Sequence, residues 1–195
     1  MVRTRNLCVA AAVMAATLGA AAVPAQAAPA GAAKAAAACP TTGWGSVDKT
    51  YTAGTSTPVR DARSGQHDCY DRLVVDVPGA PAAALGYSVR YVDALYQDGS
   101  GRLIPVGGGA ILEVRVTAPA YDPQTGTSTY PARAGQPLPG VDVTGYRTFR
   151  DTRFAGSFEG DTQLGLGVRA RLPFRVQRLD GRVVIDVAHS WNAAR

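Results

Sequence analysis

The side chains able to do acid–base, nucleophilic or metal chemistry are few in this 195-residue chain. His67 and His189 are its imidazoles, and Cys8, Cys39 and Cys69 its thiols. His67 stands beside Asp68 and close to Asp71, a pattern that suits a general base with a carboxylate to orient it. The fold alone would have to deliver a nucleophile, from Ser46 or Ser64, and an exposed histidine beside a disulfide is the commoner setting. Cys39, His67 and Cys69 are also zinc-ligand types, but zinc takes four ligands and only His189 is left to complete the set. His189 itself falls at a strand end, where a surface position is expected. No G-x-S-x-G elbow, H-E-x-x-H pair or glycine-rich phosphate loop is present. Gly107-Gly108-Gly109 runs from one strand-like stretch into another and reads as a turn, with no helix N-terminus behind it to hold an anion. The expectation is a non-enzymatic chain with no metal and no cofactor.

The cysteines make more sense together with the N-terminus. Residues 1–27 have the three parts of a cleavable secretory signal peptide: Arg3 and Arg5, an apolar run from Leu7 to Val23, and Ala25-Gln26-Ala27 before a cut at Ala28. That run is about 17 residues, rich in alanine rather than leucine and at the lower limit for a bilayer span, so a retained anchor is the weaker reading. No later stretch approaches the roughly 18–20 apolar residues a span needs, and none is expected after processing. Cleavage removes Cys8. The remaining pair, Cys39 and Cys69, is then most simply a disulfide in an oxidising exterior, closing about 30 residues and stabilising by roughly 3–4 kcal/mol. A lipid-acceptor role for Cys39 is the poorer alternative, because Pro24 and Lys34 separate it from the apolar run. The expected location is secreted and extracellular, with wall association open.

Charge is the other chemical resource. Residues 28–140 hold nine basic and nine acidic side chains, and 141–195 hold nine basic and six acidic. The excess of +3 left after export is therefore C-terminal, and it is too mild to point to nucleic acid. Arg147, Arg150, Arg153, Arg169, Arg171, Arg175 and Arg178 are candidates for a basic face suited to the carboxylates and phosphates of an anionic polymer. The bland alternative is ordinary solvent-side arginine, paired with Asp151, Glu159 or Asp161.

The elements that would position these groups are strands. Residues 28–38 (APAGAAKAAAA) lack any amphipathic pattern and read as a flexible tether. From Cys39 onward the apolar residues alternate with period two, as in Leu73, Val75 and Val77, Leu112, Val114 and Val116, or Leu164, Leu166 and Val168. About eight strands are expected, near 57–65, 70–77, 86–93, 110–117, 145–155, 161–169, 173–179 and 182–188. Asp180-Gly181 between the last two is a strong hairpin signal. The runs 71–77 and 181–187 share four identical positions, which reads equally as a pseudo-repeat or as two Val-rich half-buried strands. Residues 118–143 are rich in Pro, Gly and Thr. They are expected to be a mobile insertion or, failing that, a binding loop presenting Tyr121 and Tyr130.

GWGSV (43–47), HDCYDRLVVDVPG (67–79), GYSVRYVD (86–93), AILEVRV (110–116), FAGSFEGDTQLGLGVR (154–169) and PFRVQRLDGRVVIDVAH (173–189) appear in that order. The series resembles the actinobacterial AMIN-like domain proteins across nearly all of 39–189. The resemblance implies an all-β fold, a β-sandwich of about eight strands in two packed four-stranded sheets, related to a non-catalytic module that accompanies cell-wall amidases and secretins. In that family amidase activity resides in a separate zinc domain, which the six residues after His189, the C-terminal tail 190–195 included, are not expected to supply. The functional expectation is a secreted, monomeric, non-enzymatic module that binds peptidoglycan or an associated wall polymer. The alternative is a secreted protein-binding module or inhibitor that meets an envelope protein through the 118–143 loop or a sheet edge.

Overall fold

The period-two segments form strands whose apolar faces meet in one core. The computed structural model describes Cys39 and residues 42–191. The expected signal peptide, the tether and residues 192–195 lie outside the described residues.

A four-stranded antiparallel sheet is built from β2 (Asp61–Gln66), β3 (Tyr70–Asp76), β10 (Phe174–Leu179) and β11 (Arg182–Ala188), in the order β10-β11-β3-β2. The Asp180-Gly181 hairpin joins β10 to β11, with Gly181 at φ 74°, a left-handed turn conformation that a side chain would strain. A five-stranded antiparallel sheet is built from β1 (Lys49–Tyr51), β4 (Gly86–Val92), β7 (Ala110–Thr117), β8 (Phe149–Phe158) and β9 (Asp161–Val168), in the order β1-β4-β7-β9-β8. Between the sheets Leu73, Val75, Val183, Ile185 and Val187 meet Val89, Leu112, Val114, Val116, Leu164 and Leu166, all buried in a single cluster. Each such side chain contributes about 1.5–3 kcal/mol.

The expected all-β sandwich is what forms, with two corrections. The sheets are five- and four-stranded rather than four and four, because β1 adds a fifth strand beside β4. A separate hairpin, β5 (Leu95–Tyr96) with β6 (Leu103–Ile104), lies on the outer side of the five-stranded sheet. Elements of two or three residues are too short to display a period. The hairpin also explains the sequence Leu164-Gly165-Leu166-Gly167 in β9. The leucines enter the core, whereas a Cβ on Gly165 would collide with Leu95 and one on Gly167 with the Gly107 carbonyl. Leu95, Ile104 and Ala155 form a small second core there.

The expected mobility of 118–143 is corrected as well. Ala118, Ala120, Tyr130 and Leu138 are part of the main core. The segment also serves the edge of β8, where the Gly135 N–H donates to Phe154 O (2.8 Å) and the Phe154 N–H to Gln136 O (2.9 Å). At its end and just beyond it, Asp142, Gly145 and Tyr146 receive Ser64 and Gln66 of the edge strand β2. A strand edge left bare invites pairing with another chain, and here much of that side is occupied.

Candidate functional site

Antiparallel topology collects the ends of β2, β4, β9 and β11 with the starts of β3, β7, β8 and β10, and the chemically able side chains gather at this end. Cys39 and Cys69 are joined in a disulfide, with Cα atoms 5.5 Å apart, just before β3 begins. Thiolate ligation is thereby removed, and among the described residues no group of three His, Cys, Asp or Glu is placed to hold a metal ion. The His189 N–H donates to Cys69 O at 2.9 Å, which ties the end of β11 to the bridge.

The candidate catalytic set does not assemble. His67 stacks on the Tyr70 ring at 4.5 Å, and Ser64 Oγ pairs with Tyr146 Oη at 3.0 Å. The Ser46 carbonyl accepts from Arg171. Asp71 points inward and is fully buried, where its Oδ2 accepts the N–H groups of Thr148 (2.5 Å) and Phe149 (3.0 Å) and so clamps β3 of one sheet to the start of β8 in the other. His189 is corrected from a surface position to one only 12% exposed. Its Nδ1 lies 3.0 Å from Thr148 Oγ1, its Nε2 2.9 Å from His67 O and 3.9 Å from Asp71 Oδ1. Thr148, His189 and Asp71 thus have the residue types of a hydroxyl, a base and an orienting acid. Thr148 is completely buried and also bonds Ala188 O, so its hydroxyl meets no substrate and the set acts as a clamp.

The arginines separate into two classes. Arg153 pairs with Asp151 (2.9 Å), and Arg175 with Asp186 (2.8 Å). Arg178 bonds Ala82 O and lies over the Tyr51 ring at the β1/β10 edge. Arg147, Arg150, Arg169 and Arg171 hold backbone carbonyls instead. Arg147 donates to Asp68 O, Arg169 to His189 O, and Arg171 to Ser46 O, while Arg150 folds back onto the carbonyls of Tyr146, Arg147 and Phe149. A carbonyl orients a guanidinium without neutralising it, so these four, like Arg178 at the distant β1/β10 edge, keep their charge. Arg147, Arg169 and Arg171 are exposed, the first two linked through Asp68, Cys69 and His189 and Arg171 joined to them through Trp191, so three cations stand at this end of the sandwich. The expected single face of seven arginines is thereby reduced, because β8 and β10 lie at opposite edges of their sheets.

Two features that sequence reasoning missed complete this end. Trp191, in the segment read as a tail, is half exposed and donates its indole N–H to Arg171 O at 3.2 Å. Tyr91 sits under the Arg171 guanidinium at 5.1 Å. Its hydroxyl donates to Leu172 O (2.7 Å) and accepts the Leu172 N–H (2.9 Å), and burial pushes the phenol up to about 12. Beside them a cleft of about 310 Å³ is lined by Tyr91, Asp93, Gly109, Ile111 and Arg171. A flat exposed indole next to unneutralised guanidinium groups offers stacking for a sugar ring and forked hydrogen bonds for a carboxylate.

On the outer face of the four-stranded sheet, Asp186 is fully buried between two arginines. Arg72 grips both its oxygens (2.6 and 2.9 Å) and Arg175 adds a third bond. The rings of Trp44 and Tyr70 lie about 5 Å from the Arg175 guanidinium. The likeness of 71–77 and 181–187 acquires a physical sense here. The two runs are neighbouring antiparallel strands, with Arg72 opposite Asp186 and Arg182 opposite Asp76, so one motif pairs with its own inverse.

The loop candidates also separate. Tyr121 bridges to Ser128 and stays partly exposed. Tyr130 is corrected to a core residue, 2% exposed, with its hydroxyl on Pro139 O (2.9 Å) and its ring edge-on to Phe154. It meets no partner while the segment is folded.

Comparison with curated proteins and with solved structures gives no significant match. The AMIN-like domain profile matches residues 57–189, which takes in ten of the eleven strands and leaves outside it β1, Cys39 and Trp44. The match covers more than half of the chain: this protein belongs to the AMIN-like domain family, a non-catalytic type of domain related to the cell-wall-binding modules of amidases.

Proposed function

We propose that this protein is a secreted, non-enzymatic module that binds an anionic polymer of the cell wall, peptidoglycan foremost, through the disulfide end of the sandwich. One observation carries the reading: Arg147, Arg169 and Arg171 hold only carbonyl oxygens and stand with the exposed Trp191 at one end of an AMIN-like domain. Export through residues 1–27, a tether at 28–38 and a monomeric domain from Cys39 belong to the same reading, since the disulfide suits an oxidising exterior and no helix among the described residues is long and apolar enough to cross a membrane.

The test is co-sedimentation of the mature, oxidised protein with purified cell-wall sacculi at low and high salt. Binding is expected at low salt, weakened by salt and by the triple replacement of Arg147, Arg169 and Arg171 with Ala. Failure of the unaltered protein to sediment at low salt sinks the proposal, and retention of full binding by the triple variant removes the disulfide end from it.

A further inference from the structure

A wide cleft lies at the other end of the four-stranded sheet. About 590 Å³ in volume, it is formed where the turn after β3 meets the β10–β11 hairpin, and Arg63, Asp76, Pro81, Asp180, Gly181 and Arg182 line it. Backbone hydrogen bonds lock the two turns together: the Val77 N–H donates to Gly181 O (2.8 Å) and the Gly181 N–H to Ala80 O (2.7 Å). Asp180 Oδ1 accepts the Ala82 N–H, which fixes the rim on the far side. The cavity is therefore set before any ligand arrives.

The inverse pairing of β3 and β11 supplies an internal comparison. At the disulfide end, Asp186 is saturated by Arg72 and Arg175, beside the rings of Trp44 and Tyr70. At the cleft end, Asp76 gives both its oxygens to Arg63 (2.7 and 3.1 Å), although Arg182 stands opposite it in the ladder. Arg182 is exposed and makes no side-chain hydrogen bond or ion pair among the described residues. One half of the pseudo-repeat is closed. The other keeps a free guanidinium on the wall of this cleft.

We infer that this cleft is a second ligand site, in which Arg182 binds one singly charged carboxylate, from a peptide C-terminus or a sugar acid, against the floor formed by Pro78, Ala80 and Pro81. The sign and size of the charge follow from the lining. Arg63 and Arg182 are offset by Asp76 and Asp180, so the cleft is neutral overall, with its unspent donors on Arg182. A planar carboxylate matches the guanidinium fork and needs one compensating charge. A doubly charged phosphate would meet the two aspartates with an excess of negative charge. The site shares no residue with the disulfide end, so it stands or falls apart from the wall-binding proposal.

The experiment is a titration of the oxidised, 15N-labelled protein followed by amide chemical shifts. The probes are N-acetyl-alanyl-alanine, its C-terminal amide, glucuronate and inorganic phosphate. Saturable shifts at Gly79, Ala80, Gly181 and Arg182 with an acid, and none with the amide, are expected. The peptide and the sugar acid identify which source of carboxylate is preferred. Arg182→Gln is expected to weaken the acid by about tenfold or more, with partial recovery in Arg182→Lys. Arg182 has no internal partner, so its variants keep the spectrum of the folded protein elsewhere. Equal shifts from acid and amide, tighter binding of phosphate than of either acid, unchanged affinity in Arg182→Gln, or no shift at millimolar probe would each overturn the inference.

Discussion

Asp186 and Asp76 occupy equivalent places in the two inverse halves of the β3/β11 pair, yet their replacement by Ala should differ severalfold in cost. Asp186 is fully buried and accepts three charge-assisted hydrogen bonds, of 2.6, 2.9 and 2.8 Å. Removing one partner from a buried ion cluster typically costs about 3–5 kcal/mol, because the opposite charges are left without compensation. Here the guanidinium groups are not wholly sealed, with Arg72 27% and Arg175 17% exposed, so water re-solvates part of them and the lower end, about 3 kcal/mol, applies. Asp76 instead pairs with Arg63, whose side chain is 48% exposed, and such a surface pair is worth about 0–1 kcal/mol. Urea unfolding of the oxidised protein, fitted with a common m-value of about 2 kcal/mol/M, should show a midpoint lower by about 1.5 M for Asp186→Ala and by no more than about 0.5 M for Asp76→Ala. Equal costs for the two variants, or a loss below about 1 kcal/mol at Asp186, would refute the assignment of Asp186 as the clamp of the outer face.

Other perturbations test separate parts of the structure. Reducing the Cys39–Cys69 bridge, or replacing both cysteines with Ser, should lower stability by about 3–4 kcal/mol, the loop entropy of a 30-residue closure, as read by the urea midpoint with and without reductant. Gly167→Ala places a Cβ on the Gly107 carbonyl and should cost about 2 kcal/mol or more, with the largest amide shift changes in 95–109. Burial opposes ionisation of Glu113, but hydrogen bonds from Gln163 and Arg90 and the charge of Arg115 outweigh it and hold the carboxyl below its usual range. Its contribution is therefore complete above the unfolded pKa of about 4.3 and is lost as pH falls through the lower folded value, so Glu113→Gln should flatten the acid limb of a stability–pH curve. Tyr91 carries the opposite sign. With its phenol raised to about 12, stability should fall as pH climbs from about 10 toward that value, and Tyr91→Phe should remove one late step from an ultraviolet titration of the tyrosines.

The disulfide end shows where sequence reasoning runs out. The seven arginines between 147 and 178 were legible as part of a charge excess, but a list of like charges holds no information about which carboxylates lie within reach. Asp151 takes Arg153 within one strand, Asp186 takes Arg175 from the neighbouring strand, and the β9–β10 turn leaves Arg171 with a carbonyl. Trp191 carried a faint signal, an indole near the C-terminus, with nothing local to show that it bonds Arg171. Asp71 looked like a catalytic orienter because it lies four residues from His67. The side-chain alternation of β3 turns it to the inside, where its partners are the amides of 148 and 149.

What the sequence by itself determined is what short-range physics enforces. Period-two alternation located eight of the strands, because a half-buried strand must place every second side chain in the core. Asp180-Gly181 marked the last hairpin, because the turn needs a residue free of Cβ strain. What only the tertiary structure decided depends on contacts between distant segments. These are the fifth strand β1, the β5–β6 hairpin lying on Gly165 and Gly167, and the packing of Tyr130 into the core from a Pro- and Gly-rich segment. They also include the choice of which arginines stay unneutralised. Local pattern sets the face a residue shows, and the other sheet and the long loops decide what that face meets.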